Sequence, residues 1–430
     1  MANIISFKAR NFKSYKDEVE ISFRALNSEF RSENYHEVEI SNGERIRLLN
    51  SAVIYGANAS GKSNIIWAMF ALFSYIRSSR ERDPDTPLPY EPFLFSVETE
   101  NASIYMSIEF VADAEVYTYT ISYTKERFIE ESLICLSKQN KPLFTRNNDD
   151  VSFFEELSEF NGKSFLKNHL VLSKLGLEAN PLIQSVYRAL STSQTFPALS
   201  VGNNNSLSRI NKKIAEEILK NDESILSKRL IRLIKTSDFG IENIKIIEND
   251  FSKVQFPPGL DENVKQRFIN DNATTIKMLH KTLEGDQKSL NIGEESAGTQ
   301  VAFGVSARIL DVLERGCLLA YDEMNIAMHP RIFQLLVKLF NSPVSNPKNA
   351  QLLITTHDTG LLQDNLMRAD QVWFAEKQNG VSELYSVQDF YDKVDEVSIC
   401  PPYEAWYRSG RFGAIPHIKD IENIFMEPNE

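Results

Sequence analysis

The amino-acid sequence predicts an α/β fold, in which short apolar strands alternate with helices, a β-rich lobe comes first and a helical lobe is inserted. Three observations predict it. A loop of small residues, Gly56-Ala57-Asn58-Ala59-Ser60-Gly61-Lys62-Ser63, separates the mostly apolar run 49–55 from the helical run 64–75. Far downstream, the apolar run 317–321 ends in Asp322-Glu323. A third apolar run, 351–355, follows the helical stretch 330–340 and leads into Thr356-His357. Strands and helices that alternate in this way are the pattern of βαβ units feeding one parallel sheet.

The elements follow in order. Ile4, Phe7 and Phe12, then Val19, Ile21 and Phe23, then Val38 and Ile40 alternate as strands do, which predicts a β-rich lobe before the loop. After the helix 64–75, the polar, proline-rich stretch 78–91 reads as loop. Residues 103–110 and 116–123 read as a hairpin or meander, with further strand at 132–137. From 152 to 281 the pattern turns polar and helical, with Ile210, Ile214, Ile218 and Leu219 at helical spacing and a break at Asn203-Asn204-Asn205. No heptad run or internal repeat is sustained, which argues against a long coiled-coil arm. The expected organisation is therefore residues 1–150, an inserted and mainly helical lobe at 151–281, and a second α/β half at 282–430.

Composition narrows the class. A chain of 430 residues with 42% hydrophobic content has enough apolar surface for a packed core, so disorder is not expected. Its formal net charge of −12 argues against a globally basic nucleic-acid binder. One local candidate stands against that: the stretch 209–235 holds Lys212, Lys213, Lys220, Lys228, Arg229, Arg232 and Lys235, but Glu216, Glu217, Asp222 and Glu223 are interleaved. A solvated helix face is the leading reading, and a nucleic-acid surface is the other. The longest near-apolar run, 65–73, is far shorter than the ~20 residues of a bilayer span, and the N-terminus shows no charged-then-apolar leader. A cytoplasmic protein without a membrane partner is expected. Cys135, Cys317 and Cys400 lie far apart without CxxC spacing, which suggests neither a zinc site nor a disulfide framework and fits a reducing compartment.

The loop 56–63 fits the phosphate-binding P-loop pattern, in which small residues let consecutive backbone N–H groups curl around a phosphate at a helix N-terminus. Gly56, Asn58, Ala59, Ser60, Gly61, Lys62, Ser63 and Asn64 are the expected nucleotide-binding residues. Lys62 is placed on the β- and γ-phosphates and Ser63 on Mg²⁺. Asp322 is the expected second Mg²⁺ residue and Glu323 the general base for the attacking water; alone, two acids after an apolar run would merely end a buried strand. His357, at a strand's C-terminal end, is the candidate imidazole near the γ-phosphate, since ligands in open α/β sheets collect at that edge. Ser296, Gly298 and Gln300 precede the apolar helical stretch 301–312 and offer hydroxyl and backbone donors to a phosphate, although Ser296 or Thr299 would serve equally as an N-cap. The segment 408–416, with two glycines and two arginines, reads either as an arginine aimed at a phosphate or partner or as a tight loop with surface arginines.

The order of P-loop, Ser296-x-Gly298-x-Gln300 helix start, apolar strand with Asp322-Glu323, then Thr356-His357 resembles ATP-binding-cassette ATPases of the RecF, SMC and OLD group. The opening Ile5-Ser6-Phe7-Lys8-Ala9-Arg10-Asn11-Phe12-Lys13-Ser14-Tyr15 looks like their N-terminal strand and turn. More narrowly, Glu295 to Gln300, Asp322-Glu323 with Met328-His329-Pro330, Thr355 to Asp358 with Gln371-Val372-Trp373-Phe374, and Ser409 to Pro416 look like the AbiLi/RloA-type ATPases of bacterial defence islands. The resemblance spans nearly the whole chain, is specific at the two ATPase ends and weak over the helical lobe. It implies a P-loop NTPase of ABC ATPase-head type, with ATP and Mg²⁺ as cofactors. It further implies a head-to-head dimer or higher oligomer in which Ser296, Gly298 and Gln300 contact the nucleotide held by the other copy. Two departures stand out: Asn325-Ile326-Ala327-Met328 replaces a turn that is more often acidic and serine-rich, and Tyr321 interrupts the usual aliphatic strand. No Q-loop glutamine stands at Tyr90-Glu91-Pro92-Phe93-Leu94.

The functional expectation is an ATP-hydrolysing switch, serving as the sensor or regulatory ATPase of an anti-phage, abortive-infection system with a separately encoded effector. A nucleic-acid partner is left open. The alternatives are a nucleotide-fixed scaffold with slow hydrolysis, a nuclease or toxin component, or a DNA-repair RecF-like ATPase. No HExxH, no G-x-S-x-G and no acidic cluster after the ATPase core favours a nuclease or hydrolase of another kind.

Overall fold

Two sheets carry the first part of the molecule. A computed structural model describes residues 2–178, 180–197, 204–237, 239–252, 254–257, 259–363, 366–391 and 402–416. Cys400 and Asn203 lie outside the described residues, whereas Cys135 and Cys317 are buried thiols. Contacts divide the chain into two compact units, Met1–Ala198 with Gly316–Glu323 and Phe340–Glu430, and Leu199–Arg315 with Met324–Leu339. Residues 151–197 thus pack with the first unit, and the Ser296 helix with the second, where the sequence had drawn bounds at 150 and 281.

In the first unit, seven antiparallel strands run in the order Asp150–Phe153, Lys141–Asn147, Phe128–Cys135, Glu115–Tyr123, Ile104–Ala112, Asn3–Arg10, Val19–Ser22. Of the early strand alternation read from sequence, Ile4, Phe7, Val19 and Ile21 lie in this sheet, whose inward face also includes Ile108 and Tyr119, while Val38 lies in a separate two-stranded hairpin, Tyr35–Glu39 with Arg45–Leu49. The second sheet runs Gln194–Phe196, Leu318–Tyr321, Gln351–Thr355, Ser51–Tyr55, Val372–Gln378, Val381–Ser386, parallel throughout except for its last pair. Its central strands are apolar on both faces, as burial on both faces requires: Ser51–Tyr55 and Gln351–Thr355 are buried at every residue. The strand before the P-loop and the strand before Asp322 are not neighbours, because Gln351–Thr355 lies between them.

Polar side chains tie the two sheets together. Gln351, 1% exposed, donates from Nε2 to the carbonyls of Ile4 and Leu49 and accepts from Ile4 N–H at 2.6 Å, so an amide on the parallel sheet satisfies backbone of the antiparallel sheet and of the strand Arg45–Leu49. Gln371 does the same for Ser51, and its Oε1 accepts from Asn34 at 2.7 Å.

The second unit packs helices Asn204–Leu219 and Ile225–Thr236 on Ala297–Arg315. Arg308 donates to Asn211 Oδ1 at 3.1 Å, and a Cβ at Gly304 would sit 3.0 Å from Asn211 Cβ, so the glycine permits close helix approach. Ile210, expected in the apolar stripe, is 46% exposed, and the buried face is instead Asn211, Ala215, Ile218 and Leu219. The helical reading of 152–281 is corrected in part. Ile241–Glu248, Thr274–Lys281 and Gln287–Asn291 form a three-stranded antiparallel meander. A β-bulge between Ile241 and Asn243 brings Ile241 and Ile244 to the same buried face, producing a three-residue apolar spacing that imitates a helix. The basic stretch is neutralised by carboxylates: Lys212 pairs with Glu216, Lys213 with Asp271, Lys228 with Glu223, Arg229 with Glu314 and Lys235 with Glu242. Such a laced helix face accords with the solvated reading. Among the described residues, no helix is long and apolar enough to cross a membrane.

Candidate functional site

The site grows from the C-terminal edge of the parallel sheet. Ser51–Tyr55 ends at Gly56, and the chain turns through residues 56–61 into the helix Lys62–Ser78. Gly56 and Gly61 have φ of 152° and 108°, and a Cβ at Gly61 would lie 2.5 Å from Ser382 Oγ and 2.9 Å from Ser14 Oγ. Only glycine fits this loop at that point. Ala59 also takes a positive φ, 61°, a strained conformation for a residue with a Cβ.

A clasp that sequence reasoning missed closes around Gly61. Tyr15 Oη donates to Gly61 O at 2.8 Å, Asn64 Nδ2 donates to Ser14 Oγ at 2.6 Å, and Ser382 Oγ donates to Ser14 Oγ at 2.7 Å. Tyr15 is fully buried; burial and the nearby Asp322 push its phenol up, so it stays a neutral donor. The only sequence signal was the Ser14-Tyr15 turn, and nothing local connects it to Ser382.

Lys62, 5% exposed, donates from Nζ to Gly56 O at 2.9 Å and Ala57 O at 2.8 Å. Burial lowers its ammonium to about 8, against the opposing pull of Glu323 and Asp322. Asp322, 3% exposed, ends Leu318–Tyr321 and accepts a short hydrogen bond from Thr355 Oγ1. The same hydroxyl accepts from Glu323 N–H at 2.9 Å. Glu323 has φ of 49°, a left-handed turn that carries its carboxylate off the strand direction. Thr355, read in the sequence only as the residue before Thr356-His357, therefore orients both acids. His357 Nε2 lies 3.9 Å from Glu323 Oε1. Burial first, then the charge of Lys62, lowers the imidazole below its ordinary 6.5, so it is mainly neutral at pH 7. Tyr321 packs on Phe196 at 5.4 Å across the parallel register, which accounts for an aromatic in that strand.

Lys62, Asp322, Glu323 and His357 thus come together from three strands that are remote in sequence. Ser296, Gly298 and Gln300 form a separate turn on the second unit. Ser296 Oγ accepts from Thr299 N–H at 3.1 Å and bonds Thr299 Oγ1 at 2.8 Å, so it caps the helix Ala297–Arg315. Ser296 is nonetheless exposed, and Gln300 Nε2 donates to Glu295 O at 2.8 Å. A Cβ at Gly298 would lie 2.6 Å from Ala327 O, which fixes the turn against residues 324–328. His280 Nε2 and Glu295 Oε1 meet at 2.6 Å directly before it. In the segment 408–416, Arg408 contacts Thr359 and Glu404, and Arg411 covers the Trp406 ring at 3.9 Å, so both arginines are engaged locally.

The residues fit a nucleotide and Mg²⁺. Ser60 Oγ is buried without a partner inside the loop, the ammonium of Lys62 is held by the loop carbonyls of Gly56 and Ala57, and Ser63 and Asp322 supply the hard oxygen donors that Mg²⁺ takes. The architecture is that of a P-loop NTPase, a parallel sheet with the P-loop at its C-terminal edge, with a β-rich first lobe.

Residues 51–363 match a family described as "AAA domain, putative AbiEii toxin, Type IV TA system". No curated protein matches the chain in sequence. Among solved structures, an SmcHead bound to the C-winged helix domain of ScpA is 14% identical with a TM-score of 0.46, covering 92% of this chain and 99% of that one. The SMC head domain from Thermotoga maritima is 12% identical with a TM-score of 0.42, covering 89% and 98%. The Smc head domain bound to the C-terminal domain of ScpA, from Pyrococcus furiosus, is 13% identical with a TM-score of 0.43, covering 93% and 100%.

Proposed function

This chain belongs to that AAA-domain family, and on that premise we propose that it is an ATP-binding and ATP-hydrolysing switch of ABC/SMC-like type, acting as the regulatory ATPase of an anti-phage, abortive-infection system with a separately encoded effector. The observation that carries the catalytic reading is the convergence of Lys62, Asp322, Glu323 and His357 at one sheet edge, with Thr355 bridging the two acids.

The chemistry follows from the placement. Lys62 lends positive charge to the β- and γ-phosphates of ATP, and the loop N–H groups hold their oxygens. Mg²⁺, held by Ser63 and Asp322, supplies charge neutralisation when bound. Glu323 takes a proton from the attacking water as its oxygen bonds to the γ-phosphorus and the bond to the bridging oxygen breaks, which releases ADP and phosphate. Neutral His357, whose Nε2 lies 3.9 Å from Glu323 Oε1, offers an N–H to the developing charge. The exposed Ser296, with Gly298 and Gln300, serves a nucleotide held by a second copy, so ATP closes two heads and hydrolysis reopens them.

Turnover of ATP by wild type, Glu323→Gln and Lys62→Ala, with and without double-stranded DNA, tests the proposal. Loss of turnover in both variants is expected, by about 100-fold or more, and stimulation by DNA would identify a nucleic-acid sensor. Wild-type turnover no higher than that of Glu323→Gln would leave the nucleotide-fixed scaffold as the better account. The family's description favours a second reading, that the chain is itself a toxin. Expression that arrests growth without any companion gene, in wild type and not in Lys62→Ala, would support it.

A further inference from the structure

We propose that His280 is a positioning residue for the turn 295–300: through Glu295 it holds Ser296, Gly298 and Gln300 where they meet a nucleotide carried by a second copy. This rests on the ATP-switch reading above. The turn links the strand Gln287–Asn291 to the helix Ala297–Arg315, and its own residues anchor it poorly. No residue from 291 to 298 is buried, and Ser296 is exposed. The hydrogen bonds inside it run from turn to turn: Asn291 N–H donates to Glu294 Oε2 at 2.6 Å, Glu295 N–H to Ile292 O at 3.3 Å, and Thr299 N–H to Ser296 Oγ at 3.1 Å. Such bonds fix the shape of the turn and leave its position open.

Glu295 supplies the position. Its carboxylate, 8% exposed, accepts from His280 Nε2 at 2.6 Å; a carboxylate only accepts, so that nitrogen carries the proton. His280 stands on the central strand of the meander, Thr274–Lys281, on the same face as the fully buried Ile276 and Met278. It lies opposite Ile241 on one side and Lys288 on the other, so both neighbouring strands hold it in register. Glu295 is gripped a second time, since its carbonyl accepts from Gln300 Nε2 at 2.8 Å. A line of three side chains therefore runs from the buried strand face through Glu295 to Gln300, with Ser296 next in the chain. A carboxylate just before a helix also complements the helix dipole, but that role needs no histidine partner. Groups that meet a phosphate across two copies do need one, because a misplacement of about 1 Å costs up to ~100-fold in rate.

Turnover and ATP affinity are measured on the full chain for wild type and four variants. His280→Phe keeps an aromatic ring and removes the donor, His280→Gln keeps an N–H at similar reach, and Glu295→Ala and Lys62→Ala complete the set. The expected result is a kcat about tenfold lower in His280→Phe, with ATP affinity within about threefold of wild type, and recovery to within about threefold in His280→Gln. Glu295→Ala should repeat the loss, and combining it with His280→Phe should cost nothing more. An equal mixture of His280→Phe with Lys62→Ala shows whether the effect reaches the other copy. Half of the dimers are then mixed, and in each the intact P-loop of one copy faces the intact turn of its partner. Turnover should return to about a quarter of wild type, above either variant alone. Unchanged kcat in His280→Phe would overturn the proposal, as would a loss that follows thermal stability and survives both His280→Gln and the mixture. If wild type fails to bind ATP, or turns it over no faster than Lys62→Ala, the ATP-switch reading fails and this inference with it; turnover lost in Lys62→Ala but kept in His280→Phe overturns this inference alone.

Discussion

On the proposed nucleotide-binding role, Lys62 should make ATP affinity depend on pH above about 8. Burial lowers its ammonium to about 8 from an ordinary 10.5, only partly opposed by Glu323 and Asp322. In the nucleotide-free protein the folded value lies below the unfolded one. The folded chain therefore holds fewer protons between about 8 and 10.5, and its stability rises with pH across that window. Phosphate oxygens beside the ammonium reverse this, because the charged form is then the favoured one. Binding of ATP must accordingly take up a proton above pH 8. Affinity should be flat from pH 7 to 8 and then fall about tenfold per unit, to a limit of about 300-fold over the full gap of about 2.5 units. The terminal phosphate loses its last proton near pH ~6 and does not titrate in this window. Calorimetry in two buffers of different ionisation enthalpy measures the uptake directly. Approximately no proton should be taken up at pH 7 and approaching one at pH 9.5. Lys62→Arg, which stays charged throughout, should bind with no pH dependence above 8. A wild-type affinity that is constant from pH 7.5 to 9.5, or a decline that persists in Lys62→Arg, would refute the reasoning.

Two further outcomes test how the site is held. Thr355→Val preserves shape in a fully buried position but removes the hydroxyl shared by Asp322 and the Glu323 N–H; kcat should fall about 10- to 100-fold while ATP affinity stays within about threefold, and an unchanged kcat would remove Thr355 from the site. Gln351→Leu strips three hydrogen bonds that tie the parallel sheet to Ile4 of the antiparallel sheet and to Leu49 of the strand Arg45–Leu49; the first unit should lose about 2–4 kcal/mol in urea unfolding, and a loss below about 0.5 kcal/mol would show that the joint is not needed.

What could be read from sequence divides along the range of the interaction that fixes each feature. The P-loop was legible because its function is local: glycines at 56 and 61, a lysine and a hydroxyl, with a strand before and a helix after. Asp322 and Glu323 were legible for the same reason, as acids ending an apolar strand. The three-stranded meander was missed because the helical spacing of Ile210, Ile214, Ile218 and Leu219 was extended over the whole stretch, and a β-bulge at Ile241 puts Ile241 and Ile244 three residues apart on one buried face instead of alternating as a strand does. The Ser14-Tyr15-Ser382 clasp and the packing of Tyr407 on Tyr55 could not be read, since each joins residues whose proximity is created only when the sheet assembles.

Thr355 shows how that assembly creates chemistry. Its strand enters between the P-loop strand and the Asp322 strand, with Ile354 opposite Tyr321 on one side and Thr355 opposite Ile54 on the other. That register, fixed by the apolar core on both faces, sets the Thr355 hydroxyl level with Asp322, the first residue past Tyr321, and two residues short of His357. A shift of two residues would preserve every inward-facing position and still separate Thr355 from Asp322. The Glu323 carboxylate, the proposed general base, is therefore aimed by a hydrophobic register rather than by its own neighbours in sequence, and a core substitution that slips Gln351–Thr355 should abolish turnover with all four of Lys62, Asp322, Glu323 and His357 still in the chain.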